Sequence, residues 1–163
     1  MEFKLKFIVF VLGLLFTGLT AGLCFTWSNA VTPGIGRLDN LEFLKAFQVM
    51  NRAIINRTFL TVFFGPVILL FLNTYLFRDY STSFWLFLMA AVLFFVGIGL
   101  VTIFGNVPLN EVLDKTNLEI LSTAELETLR EKFEKPWNQL HTIRTLSSIS
   151  AFLLLIIGIL YSK

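Results

Sequence analysis

The stretch "FWLFLMAAVLFFVGIGLVTIF", Phe84 to Phe104, contains no charged residue over its whole length. A helix that crosses the roughly 30 Å hydrocarbon core of a bilayer needs about 20 apolar residues. A soluble domain rarely carries a run of this kind, because it would have to bury every side chain in one core. This stretch therefore predicts a transmembrane helix.

The same pattern recurs elsewhere in the chain, which is 163 residues long, 56% hydrophobic and only 15% charged. We predict a single integral membrane domain over residues 1–163 with an all-α fold. It is a four-helix transmembrane bundle in which two helices extend beyond the membrane on one side. The predicted spans are residues 7–27, 59–77, 84–104 and 145–161.

The first span follows Lys4 and Lys6 and has the polarity of an export signal. Its apolar run is longer than a usual signal core, and no small-x-small cleavage site ends it. We predict a retained helix. Cys24 is the only cysteine, so an internal disulfide is excluded.

The longer connections, residues 28–58 and 105–144, are predicted to form a structured cap on one side of the membrane. Asp39 with Glu42, and Ser122 with Glu125, have the spacing of helix N-caps. The first helix is expected to continue into span two. The second is expected to reach span four, with an interruption or kink at Pro136.

The distribution of basic residues favours a cytoplasmic cap under the positive-inside rule. Nine of the thirteen Lys and Arg residues fall on the cap side and four on the side of the termini. The cap side has Arg37, Lys45, Arg52, Arg57, Lys115, Arg130, Lys132, Lys135 and Arg144, and the other side has Lys4, Lys6, Arg78 and Lys163.

Two classes of partner are not expected from this composition. The net charge of +2 comes from basic residues interleaved with acids, which form no stripe for a nucleic acid. A metal centre needs several converging His, Cys or carboxylate ligands. One histidine and one distant cysteine predict no metal site, and no cofactor is expected.

The third span ends in "FGNVPLNEVL", which places two asparagines on one helical face on either side of a proline. Pro108 leaves the carbonyl near Phe104 without its helical partner, and an amide of Asn106 or Asn110 can replace it. The alternative is that these amides bind a ligand.

Other polar side chains are predicted at the same membrane boundary. Trp137, His141, Arg144 and Ser148 follow one another at helical spacing, and Gln48 and Asn51 lie on the helix before span two. Each of these residues, considered alone, has a structural explanation: His141 as a packing residue, Arg144 as a side chain that extends toward lipid headgroups, and Trp137 as part of an aromatic belt. A buried arginine or histidine at a membrane boundary indicates function, so we predict a shared pocket.

Three segments carry a resemblance to a known family: "TPGIGRLDNLEFLKAFQVMNRAIIN", "FGNVPLNEVL" and "FEKPWNQLHTIRT". They resemble DUF1772, also called the anthrone oxygenase-like family. The matching positions are Pro33-Gly34, Gln48 with Asn51, Asn106 to Asn110, and Trp137 with Arg144-Thr145. Many members have tryptophan and asparagine where this chain has Leu140-His141.

The resemblance implies oxidation of anthrones to anthraquinones by molecular oxygen, without an established metal or flavin. In that chemistry His141 would take the substrate proton. Arg144, Asn106 and Asn110 would stabilise the oxyanion, and Trp137 would stack on the aromatic ring. Gln48 and Asn51 complete the predicted ligand-binding set.

Two functional hypotheses follow. In the first, the protein is a non-enzymatic bundle, either a subunit of a membrane assembly or a structural protein, whose polar cluster stabilises helix contacts. In the second, it is a cofactor-free oxidoreductase or binder of a lipophilic aromatic or quinol-like molecule. Both predict an integral protein of the bacterial plasma (inner) membrane. The expected partners are the lipid bilayer and either a lipophilic aromatic ligand or other membrane subunits, including copies of itself.

Overall fold

The fold is a bundle of long helices, seen in a computed structural model that describes residues 2–162. Helix accounts for 90% of the structure, and no strand occurs within those residues. Lys163, counted above, lies outside them. The α-helices are α1 (Glu2–Thr26), α2 (Thr32–Ile35), α3 (Asn40–Ile54), α4 (Arg57–Leu76), α5 (Ser81–Phe94), α6 (Val107–Lys115) and α7 (Thr123–Leu160).

The predicted all-α fold with four membrane-crossing helices is confirmed. Four helical stretches are long and apolar enough to span a bilayer. α7 alone has 38 residues, about 57 Å at 1.5 Å per residue, and therefore extends well beyond a core of about 30 Å. The four stretches are Lys4–Ile35, Arg57–Leu76, Ser81–Lys115 and Thr123–Leu160.

Two of these stretches continue past their predicted ends through π-helical turns. Trp27–Val31 joins α1 to α2, while Phe95–Leu100 and Thr102–Asn106 join α5 to α6. Each π turn holds one extra residue per turn and so rotates the side chains that follow it. The chain after span three is therefore helical, where a connection was predicted from residue 105.

The predicted continuous helix from the cap into span two is wrong. α3 ends at Ile54 and α4 begins at Arg57. Asn56 makes the break: its backbone is extended, its side-chain oxygen accepts from the Phe59 N–H at 3.0 Å, and its amide donates to the Ala53 carbonyl at 3.1 Å. One side chain thus satisfies groups at both helix ends.

The other cap predictions agree with the structure. The Asp39 side chain accepts from the Glu42 N–H, and Ser122 and Glu125 form a complete capping box. Helix α7 then runs through Pro136 without interruption. Of the predicted interruption or kink at this proline, the interruption is therefore absent.

The four long helices pack in the cyclic order α1, α4, α5, α7, so that each lies against two neighbours. Aromatic and aliphatic side chains fill the centre, including Phe63, Leu70, Phe87, Phe94 and Ile98. A second apolar cluster holds the cap together. It consists of Phe43, Leu44, Phe47, Leu113, Leu118, Leu126, Phe133 and Trp137.

Arg130 fastens the cap to α7. Its guanidinium donates to the carbonyls of Gly36 and Leu38, each at 2.8 Å, and pairs with Glu134 at 2.7 Å. It also lies 4.3 Å from the centre of the Phe43 ring. The Arg130 side chain is therefore mostly buried, and its donors are satisfied.

Candidate functional site

The hydrophilic stripe on α7 points into the protein. Trp137, His141, Arg144 and Ser148 are all buried, although they lie on a helix whose outer face is exposed. Helical spacing put these side chains on one face, and the packing of α1, α5 and the cap closes over that face. The structure thus places the stripe away from bulk solvent and from lipid.

A cavity of about 280 Å³ lies beside this stripe, under the cap. Most of its wall is apolar and aromatic, and its polar groups are confined to a few side chains. The polar lining residues are Asn51, Thr102, Asn110, Trp137, His141 and Arg144, and the apolar wall includes Phe47, Phe59, Phe63 and Phe64. This volume is near the lower end of typical small-ligand pockets, about 300–1,000 Å³.

Arg144 is the most unusual member of the cavity wall. Its side chain is buried, with 8% of the residue exposed, and no carboxylate pairs with it among the described residues. It donates to His141 Nδ1 at 2.6 Å and to Thr102 Oγ1 at 3.4 Å, and its Nε has no partner. Since guanidinium has five N–H groups, three remain available.

Aromatic rings contribute only part of the missing counter-charge. The Arg144 guanidinium carbon lies 5.2 Å from the centre of Trp137 and 6.0 Å from that of Phe63. A cation near a ring face gains about 0.5–2 kcal/mol. Burying a charged group costs several kcal/mol. The wall therefore holds a cation that the described protein groups do not neutralise.

The contacts of His141 define its proton position. Its Nδ1 faces a guanidinium nitrogen, which can only donate, and its Nε2 lies 3.1 Å from the Cys24 carbonyl, which can only accept. The ring is therefore the neutral tautomer with its proton on Nε2. Both nitrogens are occupied, so in this state His141 orients Arg144 and has no free lone pair for a substrate proton.

Trp137 is held by a relay of two side-chain amides, one from α6 and one from α3. Its indole N–H donates to the Asn110 side-chain oxygen at 2.8 Å, and the Asn110 amide donates to the Asn51 oxygen at 2.9 Å. Because an indole N–H can only donate, it determines which way both amides point. The His141 ring stacks on Trp137, with centroids 4.9 Å apart and planes inclined by 15°.

The remaining predicted ligand-binding residues lie outside the cavity wall. Gln48 donates to the carbonyls of Leu113 and Thr116 and so closes the C-terminus of α6. Asn106 is fully buried and donates to the Trp137 carbonyl at 3.3 Å. The amides of Asn106 and Asn110 donate to Trp137 and Asn51. Neither therefore replaces the helical partner of the carbonyl near Phe104, as one of the two predicted alternatives required.

Trp27 also lines the cavity, although it was not among the predicted site residues. Its ring lies 5.7 Å from Trp137 and 5.7 Å from Phe47. Trp27 follows Cys24, another lining residue, by three positions, so the two side chains share one face of the helix. The signal was missed because helix α1 was expected to end here, whereas a π turn continues it.

No set of three or more His, Cys, Asp or Glu residues is grouped to hold a metal ion within residues 2–162. The chemistry that this wall supports uses a fixed cation, aromatic faces and amide dipoles. These are groups that orient and stabilise an anionic, flat, apolar molecule.

The amide relay yields a paired prediction. Asn110→Ala removes the acceptor of the buried Trp137 N–H, whereas Asn51→Ala removes only the acceptor at the end of the relay. We expect Asn110→Ala to destabilise the protein by about 1–3 kcal/mol, the cost of an unsatisfied buried group, and Asn51→Ala to cost less. Thermal melts of both variants measure this. Equal melting temperatures would contradict the role of Asn110 as the partner of Trp137.

The central and C-terminal parts of the chain match a known protein family. The family model described as anthrone oxygenase matches residues 50–154, which include Asn51, Asn106 to Asn110, Trp137 and Arg144. Pro33-Gly34 and Gln48 lie outside the match. No curated protein and no solved structure matches the chain. Since the match covers well over half of the sequence, this integral membrane protein belongs to the anthrone oxygenase family.

Proposed function

We propose that the protein binds a lipophilic, enolisable aromatic in the cavity and catalyses its oxidation by molecular oxygen. The observation that carries this proposal is Arg144, a buried guanidinium at the wall of an apolar, aromatic-lined cavity, with no carboxylate partner among the residues that the structure describes. An oxyanion on the ligand supplies the missing negative charge. The family to which the chain belongs supplies the reaction class.

The proposed steps balance without a cofactor. An anthrone-like ketone loses a proton from its ring CH₂ group, and Arg144 stabilises the resulting enolate oxygen. The electron-rich ring carbon adds O₂, which is reduced to a carbon-bound peroxide and becomes a hydroperoxide on protonation. Loss of water then leaves a second carbonyl. One ketone and one O₂ thus give one quinone and one H₂O.

His141 has two parts in this scheme. In the ligand-free state its Nδ1 holds Arg144 in place at 2.6 Å. When the guanidinium turns toward the enolate, Nδ1 is released and can accept the substrate proton, which it later returns to the peroxide. Its stacking on Trp137 keeps the ring plane constant through the exchange.

The structural-bundle hypothesis describes other polar groups better than it describes the cavity. Ser83 donates to the Gly158 carbonyl at 2.8 Å and Asn73 to the Val9 carbonyl at 3.3 Å, both in the buried bundle. Such contacts join membrane helices. An unpaired arginine beside an open volume does not, because it adds a desolvation cost without bridging two helices through an ion pair.

The test is oxygen uptake by the purified protein with anthrone, corrected for spontaneous oxidation without protein. We expect one O₂ consumed per anthraquinone formed, and loss of most of this activity in Arg144→Ala and His141→Ala. Gln139→Ala, at an exposed position of α7 that does not line the cavity, serves as the control. Uptake at the protein-free rate would refute the oxygenase, and full activity in both variants would refute these residue roles.

A further inference from the structure

We infer that the cavity opens sideways into the bilayer, so that its ligand enters from the lipid phase between α4 and the helix formed by α5 and α6. The inference rests on the cavity being the ligand site, as proposed above, and not on the oxygen chemistry. It adds a substrate class: uncharged molecules dissolved in the membrane.

The mouth of the cavity is apolar. Among its lining residues, those with exposed side chains are Ile55, Leu60 and Val107 beside this gap, which are 62%, 45% and 38% exposed, and Leu23 on α1, which is 37% exposed. No polar lining residue belongs to this exposed class, and Arg144 and His141 are 8% and 5% exposed. A ligand that passes between these exposed residues therefore meets apolar side chains first and the cation only deeper in the cavity.

Helix packing explains why the opening lies at this place. α4 packs closely along α5, whereas the continuation of α5 through Thr102–Asn106 packs against α7. The π turns carry this continuation toward α7, so the helix separates from the N-terminal part of α4. On the α4 side, the gap ends at the helix break at Ile55 and Asn56. Beyond this break the chain belongs to α3, which packs in the cap.

The surface around the mouth has the character of a lipid-facing belt. Ile103 and Phe104 lie close in sequence to Val107 and are 48% and 76% exposed. Exposed apolar side chains on a helix that spans a membrane face lipid. The side of the entrance formed by this helix therefore faces the bilayer.

This geometry selects ligands by charge. A molecule that enters through lipid must be neutral on the way, since an isolated charge in hydrocarbon is very costly. It can ionise only after it reaches Arg144. The substrates are thus ketones or un-ionised phenols that partition into the membrane, and pre-ionised, water-soluble acids are excluded.

Quenching of Trp137 fluorescence tests the route. Trp27→Phe with Trp85→Phe leaves Trp137 as the only tryptophan of the three, and it is 4% exposed. In lipid nanodiscs, where both faces meet water, p-bromoanisole delivers a quencher from lipid and acrylamide delivers one from water. We expect p-bromoanisole to quench Trp137 and acrylamide to leave it nearly unchanged.

Variants at the mouth complete the test. Leu60→Phe combined with Ile55→Phe fills the entrance and should lower quenching by p-bromoanisole several-fold. Ile68→Phe changes an exposed residue of the same helix that does not line the cavity, and it should have no effect. Acrylamide quenching equal to that of p-bromoanisole, or an entrance variant identical to Ile68→Phe, would overturn the inference.

A second measurement does not require tryptophan substitutions. Cys24 is the only cysteine and lines the cavity, so N-phenylmaleimide added to nanodiscs should modify it more slowly when the entrance is filled. Mass spectrometry reads out the modification. Neither assay needs turnover: lipid-route entry without oxygen uptake would refute the oxygenase alone, and oxygen uptake with aqueous entry would refute this route alone.

Discussion

Arg144→Met is expected to abolish ligand binding while leaving the ligand-free protein at least as stable as the wild type. Methionine has a similar length and no charge, so it removes the desolvation cost of the unpaired guanidinium. Loss of an oxyanion-binding donor typically costs about 100-fold or more in rate. Stability and function should therefore change in opposite directions, as expected for a residue kept for its chemistry.

Thermal melts with and without 1-hydroxyanthraquinone, a flat analogue that oxygen does not consume, measure both quantities. The wild type should be stabilised by this molecule, and Arg144→Met should not. Arg130→Met is the matched control, because it makes the same substitution on the same helix outside the cavity. It removes the bonds of Arg130 to Gly36, Leu38 and Glu134. It should melt lower than wild type and still bind.

The opposite pattern would show that Arg144 is structural. In that case Arg144→Met would lower the melting temperature as much as Arg130→Met does, and the analogue would still stabilise the variant. The non-enzymatic hypothesis predicts this result, because there the polar cluster serves only to join helices. The pair of variants thus separates the two functional hypotheses without a known substrate.

Gly97→Ala is expected to have the largest effect on stability among single methyl additions. A Cβ at Gly97 would collide with the Ser147 side chain, where α7 approaches the π turn Phe95–Leu100. Overpacking costs about 1–3 kcal/mol, and we expect about 3. At about 2–4 °C per kcal/mol for a chain of this size, the melting temperature should fall by about 6–12 °C.

A compensating change tests the cause. Ser147→Gly removes the colliding atoms, so the double variant Gly97→Ala with Ser147→Gly should melt no lower than Ser147→Gly alone. Gly22→Ala provides the control, since a Cβ there meets nothing within 4 Å. Failure of the compensating change would mean that Gly97 matters for the π turn itself and not for the approach of α7.

The contacts of Thr102 connect this packing to the site. Thr102 begins the π turn Thr102–Asn106, and its hydroxyl accepts a hydrogen bond from Arg144 at 3.4 Å. Gly105, in the same turn, lies against Leu140 of α7. Close approach of these helices therefore sets the distance between Thr102 and Arg144, and a separation of the helices should loosen the guanidinium as well as the bundle.

Part of the site could be read from helical spacing. Trp137, His141 and Arg144 share a face because residues three and four apart do so in any helix, and an unbroken α7 preserves that pattern through Pro136. The π turns that place Trp27 and Thr102 at the cavity carry no local signal, because they depend on neighbouring helices. Asn56 does carry one, since asparagine favours the N-cap position, but the apolar residues on both sides of it favoured a continuous helix.

The sequence by itself determined that the chain is helical and crosses a membrane four times, because a bilayer requires long apolar runs whose backbone bonds are satisfied internally. It also determined which side chains of α7 share a face. Only the tertiary structure decided that Arg144 has no carboxylate partner in the described part of the chain, that His141 meets the Cys24 carbonyl 117 positions away, and that Gln48 lies outside the cavity wall. Those facts depend on how closely distant helices approach one another, and side-chain packing between helices sets that distance.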